Sequence, residues 1–207
     1  MIELYDYVLS GSCYKVRLFL SMIGQDYQAR PVDYYPGGEH RTPDFLDLNP
    51  LGQIPVLKDG DLVLRDAQAI LVYLAGKYDA ARTWYPEDPE TQGRIAMWLS
   101  FAGGEIMNSS AARLHDMLFY DVDIDKVRAA AHAAFRVLDD HLTDREIDGG
   151  EWIVGDSPTI ADIACFPYVA LSGDGGISLD DYPAIRRWGS RIRKIPGFEV
   201  MPGIHAT

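Results

Sequence analysis

NPLGQIPVLKDGDLVLRDAQAILVYL, residues 49–74, holds a turn, a strand opened by a proline, a hairpin, a second strand and the acidic start of a helix. Pro55 stands where the strand begins and has no N–H to give a ladder. The backbone of Ile54 is therefore left facing outward, able to pair with something else. Asp66 and Ala67 open the helix, and the first N–H groups of any helix lack intrahelical partners and favour an anion. A strand edge beside a helix N-terminus suits a small peptide that carries both an amine and a carboxylate.

Working outward, residues 2–8 (IELYDYV) are rich in strand formers, and Ser10-Gly11-Ser12 is a turn with helix-capping hydroxyls. Val16, Phe19, Leu20 and Ile23 follow at helical spacing, with Gly24 as a stop. Residues 27–32 form a second strand, and a helix between two strands implies a right-handed crossover with parallel pairing. YYPGGEHR, residues 34–41, is loop; Thr42 caps a short helix over 43–48. Strands over 55–58 and 62–65 are joined by Asp59-Gly60-Asp61, a hairpin signal. Ala67, Ile70, Leu71 and Leu74 then make a helical stripe. The order is β-α-β-α-β-β-α, which resembles the thioredoxin-like fold.

Residues 78–87 are polar and proline-bearing and read as a linker between an α/β domain, 1–77, and an all-helical domain, 88–207. In the second domain the pattern predicts one helix over 95–107 that contains Gly103-Gly104 and continues through Leu114. Further helices are predicted over 127–142, 159–171 and 183–194, with a break at Asp148-Gly149-Gly150. Thr159 with Asp162 three residues on is a capping-box analogue, a folding determinant.

The chain has 207 residues, 47% of them apolar and 24% charged, so a packed core is expected. A net charge of −12 argues against nucleic acid or an anionic membrane as partner. Two cysteines, Cys13 and Cys165, make neither a disulfide framework nor a zinc site and fit a reducing, cytoplasmic setting. None of the five histidines pairs with a cysteine or acid at metal-ligand spacing, so no metal is expected. There is no basic leader before an apolar run and no apolar stretch of about 18 residues.

With residues 49–74, the segment ELYDYVLS, residues 3–10, and the cap S157-P-T-I-A-D162, nearly the whole chain resembles the cytosolic glutathione transferases, the theta-like and bacterial serine type in particular. The resemblance implies glutathione as co-substrate. Ser10 would stabilise its thiolate, with Ser12 a second candidate donor. A thiol with a pKa near ~8.5 is mostly protonated at neutral pH, and only its thiolate is strongly nucleophilic. A hydroxyl donor at a helix N-terminus suits that task. Cys13, Tyr5 and Tyr7 are the rivals. Cysteine at the position of Cys13 is unused in many such proteins, and core packing or surface cover is the more usual role for the two tyrosines.

The resemblance further implies a cis Ile54–Pro55 bond, with the Ile54 backbone pairing with the cysteinyl unit. Asp66 would take the γ-glutamyl amine, and His40 and Gln53 would meet the glycyl end. Ala67 replaces a serine that normally binds the γ-glutamyl carboxylate, leaving its backbone N–H; one lost hydroxyl contact is worth about 0.5–1.5 kcal/mol. Glu105, Asn108 and Arg113 lie on the helix that lines the electrophile pocket in that family. A homodimer is implied. Transfer to a small electrophile is the leading expectation. Glutathione-dependent disulfide reduction and a glutathione-binding or protein-interaction module with little turnover are the alternatives.

Overall fold

A computed structural model describes residues 1–206. Strands β1 (Ile2–Asp6), β2 (Gln28–Pro31), β3 (Val56–Asp59) and β4 (Leu62–Leu64) form one mixed sheet in the order β2-β1-β3-β4. β1 pairs parallel with β2, Leu4 opposite Ala29. It pairs antiparallel with β3, Leu4 opposite Leu57. Helices α1 (Gly11–Met22), α2 (Pro43–Leu48) and α3 (Ala67–Tyr78) complete the first half. α1 is the crossover between β1 and β2, as the parallel pairing requires. α2 covers a small separate cluster of Val32, Phe45 and Val56. Helices α4 (Pro89–Gly103), α5 (Met107–Leu118), α6 (Ile124–Ile147), α7 (Ile160–Ala170) and α8 (Pro183–Ile192) build the second half.

One apolar core runs through both halves. It joins Leu4 and Leu57 of the sheet, Phe19 of α1 and Leu71 of α3 to Ile163 and Phe166 of α7 and Trp188 of α8. α7 is buried along almost its whole length, which its mean composition of apolar residues permits. Its start is fixed by a capping box in which Thr159 and Asp162 satisfy each other's backbone. The fully buried Asp162 carboxylate also accepts the Ile153 N–H at 3.1 Å and the Trp188 indole N–H at 2.8 Å. Burial pushes this carboxyl up, and those donors oppose the shift.

The single helix expected over 95–107 and onward through Leu114 is two helices. Gly104, at φ −111° and ψ −92°, leaves helical geometry, and α5 starts again at Met107. A Cβ on Gly103 would lie 2.8 Å from the Gln68 side-chain nitrogen of α3, so a side chain there would have to displace the end of Gln68. Two short 3₁₀ turns, at Glu39–Arg41 and Ser172–Gly175, also escaped the periodicity. No helix among the described residues is long and apolar enough to cross a membrane.

Candidate active site

A cavity of about 630 Å³ opens between the two halves. Ser10, Ser12, Gln53, Ile54, Pro55, Asp66, Ala67 and Arg113 are all on its wall, so residues up to 103 positions apart in sequence converge there. The turn after β1 and the α1 N-terminus supply one wall, and their geometry is tightly held. The Arg17 guanidinium pairs with Asp6 at the end of β1 and donates to the Val8 carbonyl at 3.1 Å. From the helical half, Arg113 donates to the Leu9 carbonyl at 2.7 Å and to Asp174 at 2.9 Å. The turn that carries Ser10 is thus gripped from both sides.

Ser10 is the N-cap of α1, with φ −79° and ψ 119°. Its Oγ accepts the Cys13 N–H at 3.2 Å. That bond uses an oxygen lone pair and leaves the hydroxyl proton free, so capping and donation into the cavity are compatible. Ser12 Oγ hydrogen-bonds the Tyr168 phenol, which reaches over from α7. Cys13 is fully buried, and its burial pushes the thiol up to about 12, so it is no nucleophile at neutral pH. Tyr5 packs edge-on against Phe45 at 6.4 Å, whereas Tyr7 lines the cavity and lies against Tyr34 at 5.6 Å.

The second wall is the stretch read first. The Ile54–Pro55 bond is cis. β3 enters its ladder with β1 at Val56, opposite Tyr5, so Ile54 lies outside the pairing and on the cavity wall. Buried Asn49 shapes the approach to it by donating to the Gln53 carbonyl at 2.7 Å and accepting from the Leu51 N–H at 3.0 Å. Gly52 sits at φ 59°, where a Cβ would meet the His40 carbonyl at 2.9 Å. Asp66 caps α3, its Oδ1 taking the Ala69 N–H at 2.8 Å, while Oδ2 is uncommitted among the described residues. Ala67 and Gln68 follow with the unpaired N–H groups of the first turn.

Three expected residues are placed differently. His40 is buried behind the wall, stacked on Tyr34 with ring centres 3.9 Å apart. Its Nε2 accepts from the Arg41 side chain at 3.2 Å, and burial, then Arg41, lowers its pKa. Glu105 and Asn108 fall in the break between α4 and α5 and its first turn, away from the cavity. The Asn108 amide donates to the Glu105 carbonyl at 2.8 Å, a local bond between the first turn of α5 and the break before it. Arg113 does reach the cavity, but its guanidinium is committed to Leu9 and Asp174.

The residues that the sequence did not single out are chiefly aromatic and apolar. Tyr34, from the Pro-Gly-Gly loop, hydrogen-bonds Tyr120 at 3.0 Å across the mouth. Burial raises the Tyr34 phenol, helped by Tyr120. Met107, Leu114, Met117 and Leu118 of α5 form an apolar roof, and Tyr168 stands beside Ser12. A bulky aromatic in an otherwise polar loop was the one signal for Tyr34. Among the described residues no group of three or more His, Cys, Asp or Glu side chains is arranged to hold a metal.

The N-terminal domain model of glutathione S-transferase matches residues 9–77 and the C-terminal domain model matches 121–188. The chain belongs to the glutathione S-transferase family. It is 29% identical over 212 residues to glutathione S-transferase theta-2 of Mus musculus, covering 100% of this chain and 86% of the relative. It is 32% identical over 201 residues to maleylacetoacetate isomerase of Pseudomonas aeruginosa, covering 95% and 93%. Among solved structures, a glutathione transferase homologue of Lodderomyces elongisporus with two glutathione molecules per subunit superposes with a TM-score of 0.86. That structure is 25% identical and covers 95% of this chain and 94% of the other. The family thus spans the α/β sheet and helical halves that the sequence order predicted.

Proposed function

We propose that this chain binds glutathione between the Ile54–Pro55 edge and the α3 N-terminus and activates its thiol with the Ser10 hydroxyl for attack on a small, apolar electrophile. The observation that carries the reading is the convergence of the Ser10 hydroxyl, the unpaired Ile54 edge and the Asp66 carboxylate on one cavity. Asp66 Oδ2 takes the γ-glutamyl amine. The N–H groups of Ala67 and Gln68 take the γ-glutamyl carboxylate with the help of the helix dipole. Gln53 is left for the glycyl end, without His40.

The sulfur then lies at the N-terminus of α1, where a hydroxyl donor and the dipole both favour the thiolate. Lowering the thiol pKa by about 2 units takes about 2.7 kcal/mol, which one charge-assisted hydrogen bond plus a helix terminus can supply. The second substrate sits under Met107, Leu114, Met117 and Leu118, an apolar roof that favours an apolar electrophile. The protein contributes thiolate stabilisation and proximity. A reduced, cytoplasmic homodimer completes the proposal, supported by two buried, unbridged cysteines and by the family's habit.

Calorimetric titration with glutathione, followed by turnover with an aromatic halide and with a mixed disulfide, tests this. Binding with conjugation of the halide is expected. Binding with disulfide reduction alone moves the acceptor from carbon to sulfur, and no heat at millimolar glutathione sinks the reading.

A further inference from the structure

The buried cation of the first half has no part in the scheme above. Lys15, on α1, is fully buried, and its Nζ has no hydrogen-bond partner among the described residues. The ammonium lies 3.9 Å from the centre of the Tyr168 ring, on its face. The phenol of that same ring is the partner of Ser12 Oγ, and Tyr168 and Ser12 both line the cavity beside Ser10. A buried polar atom without a partner is costly, so its retention in the core calls for an explanation.

We infer that Lys15 is a positioning residue for the thiol site, acting through Tyr168 to turn the Ser12 hydroxyl onto the glutathione sulfur. The inference rests on the glutathione reading above. Between a phenol and an aliphatic hydroxyl, either oxygen can donate. A cation on the ring face is attracted by the π-system and withdraws electron density from the ring. That makes the phenol a better donor and a poorer acceptor. Tyr168 O–H therefore donates to Ser12 Oγ, and Ser12 O–H is released toward the cavity. A hydroxyl that accepts one hydrogen bond donates a stronger one, so the chain Tyr168 to Ser12 to sulfur is cooperative. Ser10 and Ser12 then serve as two donors to one thiolate, one through a cap and one through a relay.

The groups that face Lys15 are Tyr168 and Cys165 on α7 and Asp66 at the start of α3. Burial pulls the ammonium down to about 7, with Cys165 and then Asp66 acting the other way. Its charge is therefore lost as pH rises through the neutral range, and the bound thiol's titration is coupled to it.

The test is the thiolate absorbance of bound glutathione as a function of pH, with affinity measured in parallel by calorimetry. In the wild-type protein the titration should depart from a one-proton curve. Lys15→Met keeps the length of the stem. It should raise the apparent thiol pKa by about one unit, roughly tenfold less thiolate at fixed pH below it, and restore a one-proton curve. Tyr168→Phe keeps the ring and the cation over it, and should give the same rise. The double variant should add nothing further, as expected of two members of one relay.

A Lys15→Met complex with an unshifted thiol and intact glutathione binding overturns the inference and leaves the glutathione reading standing. So does an unshifted thiol in Tyr168→Phe, or a one-proton curve in the wild-type protein, which needs no variant to fold. Wild-type protein that binds no glutathione overturns both.

Discussion

Replacement of Ser10 separates two uses of one hydroxyl. Its lone pair accepts the Cys13 N–H at 3.2 Å, and its proton is free for the sulfur. Ser10→Ala removes both. The cap bond is long, so its loss should cost about 0.5–1 kcal/mol of stability, whereas Ser10→Gly costs only a few tenths. The donor is lost equally in both variants. A hydrogen bond to a charged acceptor is worth about 1.5–3 kcal/mol, which is about 1–2 units of thiol pKa. If the bound thiol starts near ~6.5, about three quarters of it is thiolate at pH 7; a rise to ~7.5–8.5 leaves between about a quarter and about a thirtieth. Conjugation at pH 7 should therefore fall about 3- to 25-fold in both variants and recover above about pH 9, where the thiol ionises unaided. Thiolate absorbance against pH, turnover at the two pH values and urea unfolding measure the three quantities. Equal turnover in wild type and both variants, with only Ser10→Ala destabilised, would reduce Ser10 to a cap and shift the role to Ser12.

Ala67→Ser restores a hydroxyl beside the γ-glutamyl carboxylate and should tighten glutathione several-fold by calorimetry, since one such bond is worth about 0.5–1.5 kcal/mol; unchanged or weaker affinity would place that carboxylate elsewhere. Cys13→Ala should leave turnover within about twofold and cost about 1 kcal/mol for the lost sulfur contacts; abolished conjugation would reinstate the thiol that burial pushes up to about 12. Asp162→Ala strands the N–H groups of Ile153, Thr159 and Trp188 and should cost about 3–5 kcal/mol in denaturant unfolding, with any folded fraction keeping its glutathione affinity. A loss under about 1 kcal/mol would mean that those donors find water.

Much of the site was legible because its parts depend on local backbone rules. Pro55 cannot enter a ladder, Asp66 caps whatever helix follows it, and Asp59-Gly60-Asp61 turns a hairpin, all without reference to the rest of the chain. The cavity brings together Ser10, Gln53, Ile54 and Asp66 as that pattern required. Glu105 and Asn108 were misplaced because helical spacing was carried through Gly104. The torsion there breaks the phase, so residues beyond it face elsewhere than a continuous helix would set them. His40 lies one shell too deep because nothing local to YYPGGEHR foretold that Tyr34 would stack over it.

The sequence by itself determined the order of elements, the strand edge beside a helix N-terminus and the hydroxyl-bearing turn, since each follows from dihedral preference and hydrogen-bond supply within a few residues. Only the tertiary structure decided what meets at the cavity from the helical half. Tyr120 on Tyr34, Arg113 on Leu9 and Tyr168 between Ser12 and Lys15 join positions from 86 to 156 apart. Such contacts depend on how α7 packs against α1 and α5 against α7, and on the desolvation that packing imposes, and no local pattern encodes a field that a buried lysine feels only after the core has closed around it.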